Sequence, residues 1–153
     1  MTSYAGDVLM SNTADGGEIT FVNGQPVMTG GFETAAFLCL FGGNFDDDGL
    51  EGNKKTWWAN LNENIPHRRY ISRFQNLVRR IPLITGNLRR FEEAAKSDLD
   101  GFKAEGIADA IEVEATIPRR NFLKLVIDIK SPTGENSQTE FLINWQAFAL
   151  ENK

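Results

Sequence analysis

The strongest constraint on this chain lies in its last third, where apolar and polar residues alternate. Ile111, Val113, Ala115 and Ile117 are interleaved with Glu112, Glu114 and Thr116, the period-two pattern of a strand with one face buried. Leu123, Leu125, Ile127 and Ile129 alternate with Lys124, Val126, Asp128 and Lys130. Ser131-Pro132-Thr133-Gly134 supplies a turn. Phe141, Ile143 and Trp145 then fall on one face of a closing strand. The spacing predicts a three-stranded antiparallel meander.

The middle of the chain changes period. Over 70–81, Tyr70, Phe74, Leu77, Val78 and Ile81 form one stripe, and Arg69, Arg73 and Arg80 share an adjacent face. Pro82 ends this helix. Over 88–104, Leu88, Phe91, Ala95, Leu99 and Phe102 form a second stripe, with Arg89/Glu93 and Glu92/Lys96 as i,i+4 pairs and Gly106 as the stop. Earlier, Ala35 through Phe41 is apolar all round, so a short, fully buried helix is expected, with Thr34 as its cap and Gly42-Gly43 as its end. Before it, Glu18–Val22, the Asn23-Gly24 turn and Pro26–Thr29 read as a short hairpin.

The order hairpin, helices, meander predicts an α+β fold, with an N-terminal short β-hairpin, one buried short helix and two amphipathic helices packed on a C-terminal three-stranded antiparallel sheet. The chain has 153 residues, 41% of them hydrophobic and 24% charged. That is enough for one domain with a real core, and argues against wholesale disorder. Residues 1–17 are polar and read as a flexible N-terminal segment, followed by a single domain over 18–153. The start has no basic n-region and no apolar h-region, so no signal peptide is expected. No apolar run approaches a membrane span.

Charge is segregated. Residues 1–53 carry eight acids and no base, while residues 64–91 carry seven arginines and no acid. A charge-steered protein interface and a nucleic-acid patch both fit such asymmetry. So does an arginine-bearing helix face neutralised by the acidic segments. The aromatics near the arginines lie on the buried stripes. Arginine at helical spacing suits bidentate pairing with carboxylates, which favours a protein partner over nucleic acid.

Signatures of catalysis are sparse. One cysteine, Cys39, and one histidine, His67, exclude an internal disulfide framework and a cysteine-built zinc cluster. Cys39 sits in the apolar helix, a packing position rather than a reactive one. His67 has cationic neighbours and no evident nucleophile. No phosphate-cradling glycine motif occurs. Asn44-x-Asp46-x-Asp48-Gly49 matches the first half of a calcium loop, but the position of the bidentate glutamate holds Lys55. The expectation is a non-enzymatic chain with no cofactor and no metal. The long 42–66 loop carries Trp57-Trp58, residue types that anchor interfaces.

Taken together, four features resemble the Mu-type small baseplate protein family of contractile-tailed phages, related to the sheath-initiator or wedge proteins. They are the Gly31–Phe41 stretch, the acidic loop leading to Thr56-Trp57-Trp58, the amphipathic helix ending at Glu105–Asp109, and Ile111–Ala115 with a final hairpin carrying Trp145. Thr56 stands where the family usually has glycine, and the Glu-Pro-Arg signature of the wedge proteins is absent. The resemblance implies a structural virion protein of the tail baseplate, assembled in the host cytoplasm. It would occur in multiple copies in a symmetric ring, link wedge and hub proteins around the tube, and seed the contractile sheath. No membrane and no nucleic acid would be involved.

The exposed edges of a meander could accept a strand from a sheath subunit. Phe141, Ile143 and Trp145 are the expected strand acceptors. Trp57, Trp58, Arg69, Arg73 and Arg80 are the expected contacts to wedge or hub proteins. The alternative is a small nucleic-acid-binding or regulatory module using the central arginine block.

Overall fold

The structure, a computed structural model, describes residues 7–13, 16–29, 32–42, 63–68 and 72–146. Among these, six short strands precede the first helix: β1 (Asp7–Val8), β2 (Met10–Thr13), β3 (Gly16–Ile19), β4 (Phe21–Val22), β5 (Gln25–Pro26) and β6 (Met28–Thr29). They pair antiparallel as β1–β6, β2–β3 and β4–β5. Of the expected hairpin only the tip pairs as predicted, Phe21 with Pro26 and Val22 with Gln25, while Glu18–Ile19 pair with β2 and Met28–Thr29 with β1; the tip is Asn23-Gly24 with φ of 52° and 77°, the two positive values a type I′ turn demands.

Part of the segment read as a flexible start is paired strand. Its anchor is Thr34, whose Oγ1 accepts the Met10 N–H at 3.0 Å and donates to the Val8 carbonyl at 2.5 Å. Thr34 therefore is not the helix cap. It lies inside α1 (Glu33–Phe41), buried, and ties the N-terminal strands to that helix. Helix α1 is also less enclosed than its apolar sequence implies. Thr34, Ala36, Cys39 and Leu40 are buried, and the other residues are half-buried at its flanks.

Helix α2 spans Arg73–Arg80, with Phe74, Asn76 and Val78 buried. Of the helix expected over 70–81, residues 70 and 71 lie outside the described residues. The continuous helix expected over 88–104 is interrupted. α3 covers Leu88–Asp98 and α4 covers Gly101–Ala104. Between them the bonds tighten to i→i−3, from Asp100 N–H to the Ser97 carbonyl and from Phe102 N–H to the Leu99 carbonyl. Gly106 ends this region with φ 72°, and the Ile107 N–H returns to the Phe102 carbonyl.

The C-terminal sheet is the predicted meander, in order β7 (Ala110–Arg119), β8 (Phe122–Lys130) and β9 (Asn136–Asn144). Ile111 faces Ile129, and Leu125 faces Phe141. Every second residue of β8 from Leu123 to Ile129 is buried, which puts the alternation seen in the sequence onto the helix-facing side. The fold is α+β. Its core joins the sheet to Phe74, Phe91, Ala95 and Leu99, each large side chain stabilising by about 1.5–3 kcal/mol on burial. A run of aromatic contacts crosses it, Phe141 to Phe41 at 6.3 Å, Phe41 to Phe74 at 5.8 Å and Phe74 to Phe91 at 6.2 Å.

Candidate interaction surface

The two outer edges of the sheet differ. Helix α3 lies along β7, where Glu92 Oε1 accepts the outward N–H of Ala115 at 3.0 Å. Lys96 Nζ reaches Glu112 at 3.6 Å across the same edge. A carboxylate thus occupies a donor that an incoming strand would need.

On the far side, no described strand pairs with β9. The ladder phase follows from the bonds Trp145 N–H to Asn121 carbonyl and Ser131 N–H to Glu135 carbonyl. Odd-numbered residues of β9 turn their backbone groups to β8, so Gln138 and Glu140 turn theirs outward. Beside them a groove of about 270 Å³ is lined by Leu9, Met10, Glu33 and Gln138–Phe141. Strand β2 and the start of α1 form its opposite wall.

The predicted strand acceptors behave differently from expectation. Phe141 and Ile143 are 2% and 1% exposed. Their side chains belong to the core, because the odd-numbered positions of β9 face the helices. Only backbone and the even-numbered side chains remain for a partner along this strand. Trp145 sits one residue beyond β9, half-buried, with its N–H bonded to the Asn121 carbonyl at 2.9 Å. Its indole Nε1 is buried and has no hydrogen-bond partner among the described residues.

Arg73 and Arg80 are exposed on α2. Trp57, Trp58 and Arg69 lie outside the described residues, as does the calcium-like loop. Phe74 and Phe91 are fully buried, so neither offers a ring beside the arginines for stacking on a base.

Three clasps hold the helical layer, and pattern alone shows none of them. Asp98 caps α2 from a distance. Its Oδ1 accepts the Arg73 N–H at 2.9 Å and its Oδ2 the Phe74 N–H at 2.8 Å. Ser72, at the N-cap position, instead donates its hydroxyl to the Cys39 carbonyl at 3.0 Å. Burial pushes the Asp98 carboxyl up to about 7, against the two N–H donors and the Arg73 guanidinium, which pull it down. Burial also pushes the Cys39 thiol up to about 12, with Asp98 adding to the effect. That is the opposite of an activated nucleophile.

The third clasp is on the surface. Glu105 accepts from the Arg68 Nε, and its contact with His67 Nε2 is 2.7 Å. Arg68 first, then His67, holds the Glu105 carboxyl below its usual range. Gly101 permits this contact, since a Cβ there would stand 2.6 Å from the His67 carbonyl oxygen.

Among the described residues, no group of three or more His, Cys, Asp or Glu is placed to hold a metal ion, and no helix is long and apolar enough to cross a membrane. In the sequence Glu92 reads as the i,i+4 partner of Lys96, Asp98 as one more acid of the 88–104 helix and Glu105 as the start of the linker after it; in the structure Lys96 reaches Glu112 and Glu92 turns to the Ala115 N–H. Their roles arise from where α3 and α4 lie against other elements. Compared with family models, curated proteins and solved structures, the chain matches none.

Proposed function

We propose that this chain is a non-enzymatic assembly subunit of a contractile phage tail, of the baseplate wedge or sheath-initiator type, which offers β9 as an acceptor for a partner strand. The observation that carries the proposal is the asymmetry of the sheet. Helix α3 and the Glu92 carboxylate block β7, whereas Gln138 and Glu140 turn backbone groups into a groove. Main-chain bonds to that edge would supply affinity, and the groove would select side chains at alternate positions. The phage assignment rests on the sequence resemblance. Wedge and hub proteins, sheath and tube are the partners it implies.

Replacing Gln138→Pro and Glu140→Pro removes the two outward donors and leaves the ladder to β8 intact. In tails assembled with this variant, electron microscopy should show baseplates without extended sheaths. Normal sheaths would overturn the proposal. Cross-linking mass spectrometry on the native particle is the complementary test. Links from Lys124 or Lys130 to sheath, tube or wedge proteins are expected, and links to polymerase, repressor or ribosomal proteins would refute the tail assignment.

A further inference from the structure

We infer that the outer face of the C-terminal sheet carries a carboxylate-binding pocket built around Arg119, which receives an acidic side chain of a partner protein. The pocket is a cavity of about 360 Å³ lined by Pro118, Arg119, Lys124 and Glu140–Leu142. Lys124, Glu140 and Leu142 hold even-numbered positions of β8 and β9, the ones turned away from the helices.

A bulge brings the arginine to this face. Along β7 the odd-numbered Ile111 and Ala115 are buried towards the helices, and that parity would turn Arg119 inward. Between Thr116, opposite Lys124, and Arg119, opposite Phe122, the register slips by one residue. Pro118, with no N–H to give a ladder, sits in the slip. Arg119 therefore emerges on the side of Phe122 and Lys124, and its Cζ stands 3.9 Å from the Phe122 ring centroid. A guanidinium stacked through its face keeps its N–H edge for a planar, bidentate acceptor.

Charge defines that acceptor. Lys124 Nζ lies 3.6 Å from Glu140 Oε2, so these two offset each other. Arg119 is exposed and has no carboxylate partner among the described residues. The pocket thus holds one positive charge in excess, which one carboxylate completes. A phosphate dianion would meet Glu140, and Arg119 already covers the ring on which a base would stack.

Shape defines its source. Every lining residue belongs to three neighbouring strands of one sheet. A free small molecule would be left largely in water there, whereas a pocket that holds one buries most of its surface. A side chain delivered by another protein needs no such enclosure, and its aliphatic stem fits beside Pro118 and Leu142. The inference uses neither the tail assignment nor strand pairing at β9, so it holds or fails apart from both.

Titration with the end-blocked tripeptide Leu-Glu-Leu, followed by NMR, tests it. The Arg119 Nε–H and the Lys124 and Leu142 amides should shift saturably, and Leu-Gln-Leu should leave them in place. Arg119→Lys keeps the charge but loses the planar fork, and should weaken binding about tenfold. Glu140→Gln should tighten it. Both positions are exposed, and an otherwise unchanged amide spectrum verifies the fold of each variant. No saturation below about 20 mM would overturn the inference. So would undiminished binding by Arg119→Lys, acetate binding as tightly as the tripeptide, or inorganic phosphate or a labelled oligonucleotide displacing the tripeptide from the same residues.

Discussion

Asp98, the last residue of α3, closes the first turn of α2 by accepting the Phe74 N–H at 2.8 Å. The helix-capping role that sequence position would give to Ser72 is filled from another helix, and Ser72 is freed to hold α1 through the Cys39 carbonyl. One carboxylate and one hydroxyl thereby lock three helices together.

Removing the carboxylate tests this lock. Asp98→Ala should destabilise the fold by about 2 kcal/mol, the combined scale of a lost cap and bonds to a charged acceptor. Urea unfolding measures the total. Amide exchange at Arg73 and Phe74 should accelerate more than at the sheet.

The same group gives a pH dependence whose sign is opposite to that of ordinary paired carboxylates. Asp98 is raised from 3.8 to about 7 by burial. The unfolded chain releases this proton first, so the contribution of Asp98 is fully present below about pH 4 and lost as pH rises through about 7. Relative to Asp98→Asn, which does not titrate, the native protein should lose on the order of 4 kcal/mol between those limits. Denaturation of both proteins at pH 5, 6, 7 and 8 checks it. A difference that grows more favourable to the native protein with rising pH would refute the assignment.

Cys39 should resist modification. With the thiol pushed up to about 12 and 6% exposed, a disulfide reagent at pH 8 should label it at the rate of unfolding and no faster. Labelling should be immediate in denaturant.

Thr34→Val removes one oxygen and leaves the Met10 N–H and the Val8 carbonyl without their partner. The cost should be about 1–2 kcal/mol, felt locally. Limited proteolysis should cut earlier within residues 7–29, with the unfolding midpoint of the sheet little changed.

Gly101→Ala should cost about 1–3 kcal/mol, because its Cβ meets the His67 carbonyl at 2.6 Å and one side must move. Glu105→Gln should cost far less, since that clasp is solvated. Thermal unfolding of the two variants orders them.

The contrast between what the sequence conveyed and what it hid has a physical cause. Period-two alternation marked β7, β8 and the core face of β9, because burial on one face of a strand forces it. Asn23-Gly24 and Gly106 marked chain reversals, because few residues tolerate positive φ. Thr34 reads as a cap because threonine is a good one, and only the approach of β1 and β2 gives its hydroxyl other work. Phe141 and Ile143 lie on the apolar face of their strand, and that periodicity puts them in the core rather than against a partner. Glu92 and Asp98 could not be singled out among 21 acids, because their partners are 23 and 24 or more residues away.

The Glu92 carboxylate on the Ala115 N–H also limits how these chains can aggregate. A sheet open on both sides is a template for unlimited edge-to-edge stacking. Here two copies joined through β9 would turn only their sealed β7 margins to the solvent, and growth would stop at six strands. A subunit held at high local density can therefore keep one receptive strand without seeding a fibre.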